Sequence, residues 1–527
     1  MSALARIIVV TAVSAAAVFS SPYASAESVL RHVPQADLKI LDPVTNTAFI
    51  TMQYSFMVYD QLFSMDETYK PHPQMVESYT VSDDKKTYRF TLRPGLKFHD
   101  GSPVRAADAA ASVKRWAMKD PAGGKMAALG MKLDVVDDHT FTLSLNEPFG
   151  PVLESMAKPS WALFVMPEKE IANRPVSEAV TSANGSGPFR LVRSEWVPGA
   201  KIVFERNPDY VSRSEPADFF SGGKVVKVDR VEWDIMSDLN TAVSALMAGE
   251  VDSIENIPIE QVPILKRDKN IVVAVHNKSG TQGFLRPNHL YPPFNDPKGR
   301  EALVRIVNQE DFMRAAIGDP TYWQVCWAWL MCGSPTGSEA GAEAFRKPDP
   351  EKAKQLLKEA GYQGEKIVVM DATGLPYVHE MNEVLLQELR GIGLNLEVMT
   401  MEWSTMLTRR ASSEPPDKGG WNMYIAWAPG LDVANPLASY ELQAPCTKTS
   451  WAGWACDQHM EALRDAWARE TDPVKRNVIN ENLQQEAIKM VGVVPLGQFY
   501  IPTAYRTSLK GFLAVPLPVM WNVEKKE

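Results

Sequence analysis

The stretch LKFHDGSPVRAADAAASVKRW, Leu96 to Trp116, sets His99 beside Asp100 and Gly101. A histidine next to a carboxylate can relay protons or supply two ligands of a metal site. Either chemistry needs a further partner at bonding distance, and the neighbouring sequence offers none. Turn chemistry accounts for every residue instead. Asp100-Gly101 is a turn signal after a strand. Asp108 is placed to cap a helical segment from Ala109 to Trp116, where its carboxylate meets free backbone N–H groups. His99 and Asp100 are therefore expected to be scaffold.

The other candidates for chemistry thin out in the same way. There is no GxxxxGK(S/T) phosphate loop and no GxSxG nucleophile elbow. HEMNE, His379 to Glu383, opens like a zinc-protease helix but lacks the second histidine four residues on. His32, His72, His139, His276, His289 and His459 fall at no ligand spacing. Adjacent acids such as Asp137 and Asp138 suit a turn. No catalytic residue, metal site or cofactor is expected. An exported hydrolase using His99-Asp100 or a buried carboxylate is the reading from another functional class, and it is disfavoured.

Four cysteines remain: Cys326, Cys332, Cys446 and Cys456. Neither close pair has CxxC spacing, and His459 lacks a nearby histidine, so zinc is disfavoured. An even count in an exported chain suggests disulfides, and Cys326–Cys332 with Cys446–Cys456 is the simplest of three connectivities. Four buried thiols are the alternative.

Export itself is written at the N-terminus. Arg6 precedes an apolar run from Ile7 to Phe19, and Ala24-Ser25-Ala26 is a small-residue cleavage site, so the mature chain is expected to begin at Glu27. The run is shorter than the roughly 20 residues a membrane span needs, and no later segment is long and apolar enough. The chain has 527 residues, 45% of them hydrophobic, which is too long for one core and implies at least two lobes. The net charge is -9 and no block of Lys and Arg stands out, which disfavours a nucleic-acid partner.

The elements that must position any site alternate between strand and helix, as in α/β layering. TYRFTLRPG, Thr87 to Gly95, alternates Tyr88, Phe90 and Leu92 against Arg89, Thr91 and Arg93, a half-buried strand ended by Pro94-Gly95. DDHTFTLSLNEPF repeats the design with Phe141, Leu143 and Leu145, so an antiparallel sheet is expected in a small early domain. In DPEKAKQLLKEAGY, Asp349 caps a helix with Pro350 at its first position and Gly361 at its stop. EKIVVMDATG, MNEVLLQELRGIG and LNLEVMTMEW then read strand, helix, strand: a βαβ unit and a parallel sheet in the C-terminal half.

Together the segments form a recognisable set. SDDKKTYRFTLRPGLKFHDGSPVRAADAAASVKRW closely resembles the signature of family 5 extracellular solute-binding proteins, the dipeptide- and oligopeptide-binding components of ABC importers. GSGPFRLVRSEWVPGAKIVFERNPDY, VEWDIMSDLNTAVSALMAGEVDSI, PPFNDPKGREALVRIVNQEDFMRAAIGD, DPEKAKQLLKEAGY and VPLGQFYIPTAYRTSLKGF resemble further landmarks of that family, in its order. The resemblance implies a two-lobed type II periplasmic-binding fold with an extra domain in the first lobe and two crossover segments. The implied division is a signal peptide at 1–26, first lobe at 27–60, extra domain at 61–183, first lobe at 184–279, second lobe at 280–493 and first lobe again at 494–527. The implied role is periplasmic capture of a peptide or peptide-like solute, by a monomer that delivers it to an inner-membrane permease and its ATPase. A non-peptide solute, such as an opine, a sugar derivative, or a metal or haem complex, is the alternative; nickel is disfavoured because clustered His and Cys ligands are lacking.

In the peptide binders of this family an Asp shortly after a Trp holds the ligand's amino group. Here AWAPGLDVANPLASY matches that segment: Trp427 stands for the Trp, Gly430 stands where the Asp usually sits, and the nearest acid is Asp432. Asp432 either takes the anchoring role or is a turn residue. Arg286, and Arg409 or Arg410, are candidates for a ligand carboxylate. Trp161, Trp421, Trp451 and Trp454 are candidate walls.

Overall fold

The computed structural model describes residues 27–46, 48–373, 375–447 and 450–526. The export signal expected at 1–26 lies outside them. The strand Thr87–Leu92 buries Tyr88, Phe90 and Leu92 as its alternation requires. It lies in a four-stranded antiparallel sheet ordered Val76–Val81, Thr87–Leu92, Thr140–Ser144, Lys132–Val135. Phe141, Leu143 and Leu145 are buried. The helix packed on this sheet spans Ala106–Ala117, so it starts ahead of Asp108, not after it. Asp108 still serves free amides from within the first turn, accepting from Arg105 N at 2.8 Å and Glu168 N at 2.7 Å.

Two larger sheets carry the rest. In the first, Val29–Val33 runs parallel to both Arg230–Asp234 and Ser253–Ile254. Lys201–Arg206 and Phe189–Leu191 extend it on one side, Thr503–Arg506 and Ile271–Ala274 on the other. The second is ordered Trp323–Gln324, Val494–Phe499, Thr281–Pro287, Met423–Pro429, Lys366–Ala372, Asn395–Met401. Its last two strands are parallel and joined by the helix Pro376–Gly391, the expected βαβ unit. Asp349 caps the helix Pro350–Glu359 by accepting from Lys352 N at 2.9 Å. Gly361 follows with φ of +84°, a left-handed stop that suits glycine.

Among the described residues the chain passes between the large sheets at 275–280 and again at 500–502. The second passage falls later than the boundary expected at 493. Val494–Phe499 pairs with Thr281–Pro287, so it belongs to the second sheet. The core of the four-stranded sheet is continuous with that of the six-stranded sheet, and two separate clusters pack on the seven-stranded one. Disulfides join Cys326 to Cys332 and Cys446 to Cys456, with Cα separations of 6.0 and 4.2 Å. No helix of the described residues is long and apolar enough to cross a membrane.

Candidate functional site

Between the two large sheets lie two cavities of about 370 and 210 Å³ that share Gln35, Phe49 and Trp427. Gln35 follows the strand Val29–Val33 and Glu255 follows Ser253–Ile254, so the seven-stranded sheet reaches the cleft with the carboxyl ends of parallel strands. The other wall is the end of Met423–Pro429 and the chain beyond it: Trp427, Asp432, Tyr440 and, through the Cys446–Cys456 loop, Trp451.

Gly430 has a steric reason. Its N–H donates to Gly280 O at 2.9 Å, where the chain crosses between sheets. A Cβ there would stand 2.1 Å from Ser279 O and 2.6 Å from Met331 Sδ. No side chain fits at this position, so the acid of this segment enters the cleft two residues later. Asp432 lies in the short helix Gly430–Val433 and lines the larger cavity. Its Oδ1 accepts from Ser160 Oγ. Burial raises its pKa above the usual carboxylate range, against that hydrogen bond and the charge of Lys158.

Tyr440 and Trp451 are stacked at 4.6 Å, and the Arg410 guanidinium lies 4.7 Å from the Trp451 ring centre. Arg410 lines the cavity. Arg409 does not; its Nη2 donates to Gly419 O at 2.7 Å. Consecutive helical residues point different ways, and only one of this pair can face the cleft. On the smaller cavity, Glu255 accepts from Gln35 N at 2.9 Å and Gln53 Nε2 at 2.6 Å. Burial still pushes its carboxyl up to about 7. His276, on the same cavity, has its pKa lowered by burial.

Four further candidates, Arg286, Trp421, Trp454 and Trp161, sit elsewhere and line neither cavity. Arg286 is fully buried, and its Nε donates to Ala452 O at 2.8 Å. The Cys446–Cys456 loop covers it, with Gly453 packed so closely that a Cβ would lie 2.4 Å from Nε. It lines neither cleft cavity, and so is not placed to meet a solute carboxylate. Trp421 is core: its ring packs on Tyr424 and Trp454, and Nε1 donates to Arg410 O at 3.2 Å. Trp161 lines neither cavity, and its carbonyl takes Trp116 Nε1 at 2.8 Å.

His99 and Asp100 are also away from the cleft. His99 Nε2 lies 3.1 Å from Gly187 O, and burial lowers its pKa to about 4. Asp100 accepts from Ser102 N at 2.9 Å, Lys169 Nζ at 2.8 Å and Asn184 Nδ2 at 3.0 Å. The Lys169 bond above all holds its carboxyl well below the usual range. The pair ties the four-stranded sheet to residues 184–187.

The family described as bacterial extracellular solute-binding proteins, family 5, middle region, matches residues 70–451. A probable peptide ABC transporter periplasmic-binding protein of Sinorhizobium fredii is 40% identical over 494 residues, covering 93% of this chain and 92% of its own. The chain belongs to family 5 of the extracellular solute-binding proteins. A glutathione-binding protein of Salmonella typhi is 26% identical, with 90% of each chain covered. Among solved structures, a dipeptide-binding protein of Pseudoalteromonas, in complex with Met-Leu, has a TM-score of 0.77 at 21% identity, covering 94% of this chain and 100% of its own. That likeness identifies the two-lobed type II fold. On the first cavity wall, Gln35, Phe49 and Glu255 carry no motif and were not legible as site residues. The rule that α/β ligands meet the carboxyl ends of parallel strands was the available signal.

Proposed function

We propose that this chain captures a peptide between its lobes and delivers it to an inner-membrane ABC permease. One observation carries the proposal. Met423–Pro429 pairs with Thr281–Pro287 along its whole length, but with Lys366–Ala372 only at Met423 and Tyr424. From Ile425 onward that edge has no strand partner among the described residues, and it ends in the larger cavity. A free strand edge accepts an extended backbone. The same cavity holds Asp432 and Arg410, opposite charges that suit a zwitterion's two ends. Asp432 takes the ammonium through Oδ2, Arg410 takes the carboxylate, and Tyr440 with Trp451 packs an apolar side chain. The relatives' names support a peptide as the solute.

The domain division follows the same proposal: the first lobe is built on the seven-stranded sheet, the second on the six-stranded sheet, and the extra domain on the four-stranded one. The lobes close by rotation about 275–280 and 500–502. The chain works outside the cytoplasm as a monomer after cleavage behind Ala26, and does no covalent chemistry on its cargo.

Thermal denaturation against dipeptides, tripeptides and glutathione tests this, because a ligand of the native state raises Tm with concentration. At 100 Kd of free peptide the stabilisation is about 2.7 kcal/mol. A shift with an opine or sugar, and with no peptide, would overturn the peptide assignment.

A further inference from the structure

A third cavity, of about 360 Å³, lies apart from the cleft between the extra domain and the second lobe. Met65, Tyr69 and Pro159 line it from one side, Leu431, Ala438 and Trp467 from the other. Away from the rim its charges are neutralised in place. Lys158 pairs with Asp120 at 2.6 Å, and Arg476 with Glu154 at 2.8 Å while lying over the Trp467 ring. Lys70 stands exposed at the rim. Two polar atoms of the lining, Trp467 Nε1 and Asn480 Oδ1, are buried without a hydrogen-bond partner. Their residues are only 6% and 5% exposed. One is a donor and the other an acceptor. Leaving such groups unmet in a folded interior is costly.

We infer that this cavity is a second binding site, for a neutral, mainly apolar small molecule carrying one amide. An amide oxygen accepts from Trp467 Nε1, an amide N–H donates to Asn480 Oδ1, and an aromatic or branched body fills the apolar space. Charged solutes are disfavoured because the buried charges of the lining are already paired. The site stands apart from the identity of the solute in the cleft.

Its coupling to the cleft rests on the closure proposed above. Ser160 lines this cavity and Asp432 lines the cleft, and the hydrogen bond between them forms the partition. Around it the two bodies are joined by Gly150 N donating to Ala468 O at 2.8 Å, and by the Lys125–Asp465 and Glu154–Arg476 pairs. An occupant touching both bodies favours the closed state, so it strengthens binding in the cleft and is strengthened by it in turn.

The test is calorimetric titration of the full chain with indole-3-acetamide, a probe with an aromatic body and one amide. Binding of the wild type is expected. Asn480→Leu should weaken it about ten-fold by removing the acceptor. Asn477→Trp, placed at an exposed rim position so that folding is spared, should abolish it by filling the space. Saturating the cleft with the peptide identified by denaturation should tighten the probe. Absence of heat with the wild type at millimolar probe overturns the site. So does unchanged affinity in both variants, or full competition by the cleft peptide, which would place the probe in the cleft. Probe binding with no peptide effect overturns the coupling and leaves the site standing. The probe titration needs no peptide, so failure of the peptide proposal is read separately.

Discussion

The turn at His99–Ser102 and the segment Trp427–Asp432 each set a glycine and an acid close together. In the first, Ser102, Lys169 and Asn184 supply the hydrogen bonds that Asp100 accepts, and its carboxyl is held low. In the second, Asp432 accepts one hydroxyl at Oδ1, Oδ2 has no hydrogen-bond partner among the described residues, and burial holds the carboxyl high. Both carboxyls depart from the ordinary acidity, in opposite directions. An acid whose lone pairs the chain itself satisfies is fastening two segments. One that is buried and incompletely satisfied is poised for a cation from outside.

This contrast fails if a buried cleft acid shows no titration signature, and Glu255 should show the strongest one. Its native pKa of about 7 lies above the ordinary 4.5. The native state therefore keeps its proton to higher pH than the unfolded chain does. The stability this group contributes is full below about pH 4.5, falls as pH rises toward 7, and stays lost above. At about 1.4 kcal/mol per unit, the full swing is about 3 kcal/mol. Urea midpoints of wild type and Glu255→Gln, taken from pH 4 to 8, should change their separation through that window, as wild type alone falls, and run parallel outside it. The amide forfeits an acceptor at every pH, so the slope is the readout and the offset is not. Parallel curves throughout would show that Glu255 titrates normally.

The two glycines differ as much as the two acids. Gly101 has φ of +83° with nothing near its missing Cβ, whereas Gly430 is crowded by backbone. Gly430→Ala forces Ser279 at the crossing to move and should cost about 2–3 kcal/mol, together with weaker peptide binding. Gly101→Ala should cost about 1–2 kcal/mol, a conformational term alone. If Gly430→Ala leaves peptide affinity unchanged, the crossing and the cleft are not coupled through this residue.

What could be read from sequence divides between local and distant causes. Periodicity located the strands Thr87–Leu92 and Thr140–Ser144 and the βαβ unit, because burial of one face repeats every two or 3.6 residues whatever the tertiary setting. Asp349, Pro350 and Gly361 were legible because caps are local. The helix start at Ala106 was not, since Asp108 serves amides equally well from inside the first turn. Of the residues lining the larger cavity, Trp427, Asp432 and Trp451 were pointed to through family resemblance, whereas the pair Arg409-Arg410 was left undivided and only the structure puts Arg410 on the cavity. Arg286 and Trp421 were misplaced because nothing in one chain's spacing separates a residue behind the Cys446–Cys456 loop from one in front of it. Gln35 and Glu255 lie 220 residues apart, and the parallel pairing of Val29–Val33 with Ser253–Ile254 brings them to one cavity, where they share a hydrogen bond.

Affinity distinguishes the two acids directly. Asp432→Asn should weaken peptide binding about ten-fold or more, through loss of a charge-assisted bond worth about 1.5–3 kcal/mol. Asp100→Asn should leave affinity alone and lower stability by less than about 1 kcal/mol, since its Lys169 partner is largely exposed. Calorimetry with the same peptide reads both. Equal affinities in wild type and Asp432→Asn would make Asp432 a fastener too, holding the extra domain through Ser160.

A smaller difference is expected between two neighbours at the end of the helix Trp403–Arg409. Arg410 faces the cavity and lies over Trp451, while Arg409 spends its guanidinium on Gly419 O. Arg410→Ala removes a cation from the proposed carboxylate end and frees the Trp451 ring, and should weaken peptide binding about five-fold, near 1 kcal/mol. Arg409→Ala should not change affinity. A C-terminally amidated version of the same peptide separates the two contributions of Arg410. If the guanidinium meets the carboxylate, amidation weakens wild type and has no further effect in Arg410→Ala. If it acts only by steadying Trp451, amidation weakens both alike, and the cationic partner of the carboxylate must be sought elsewhere in the cleft.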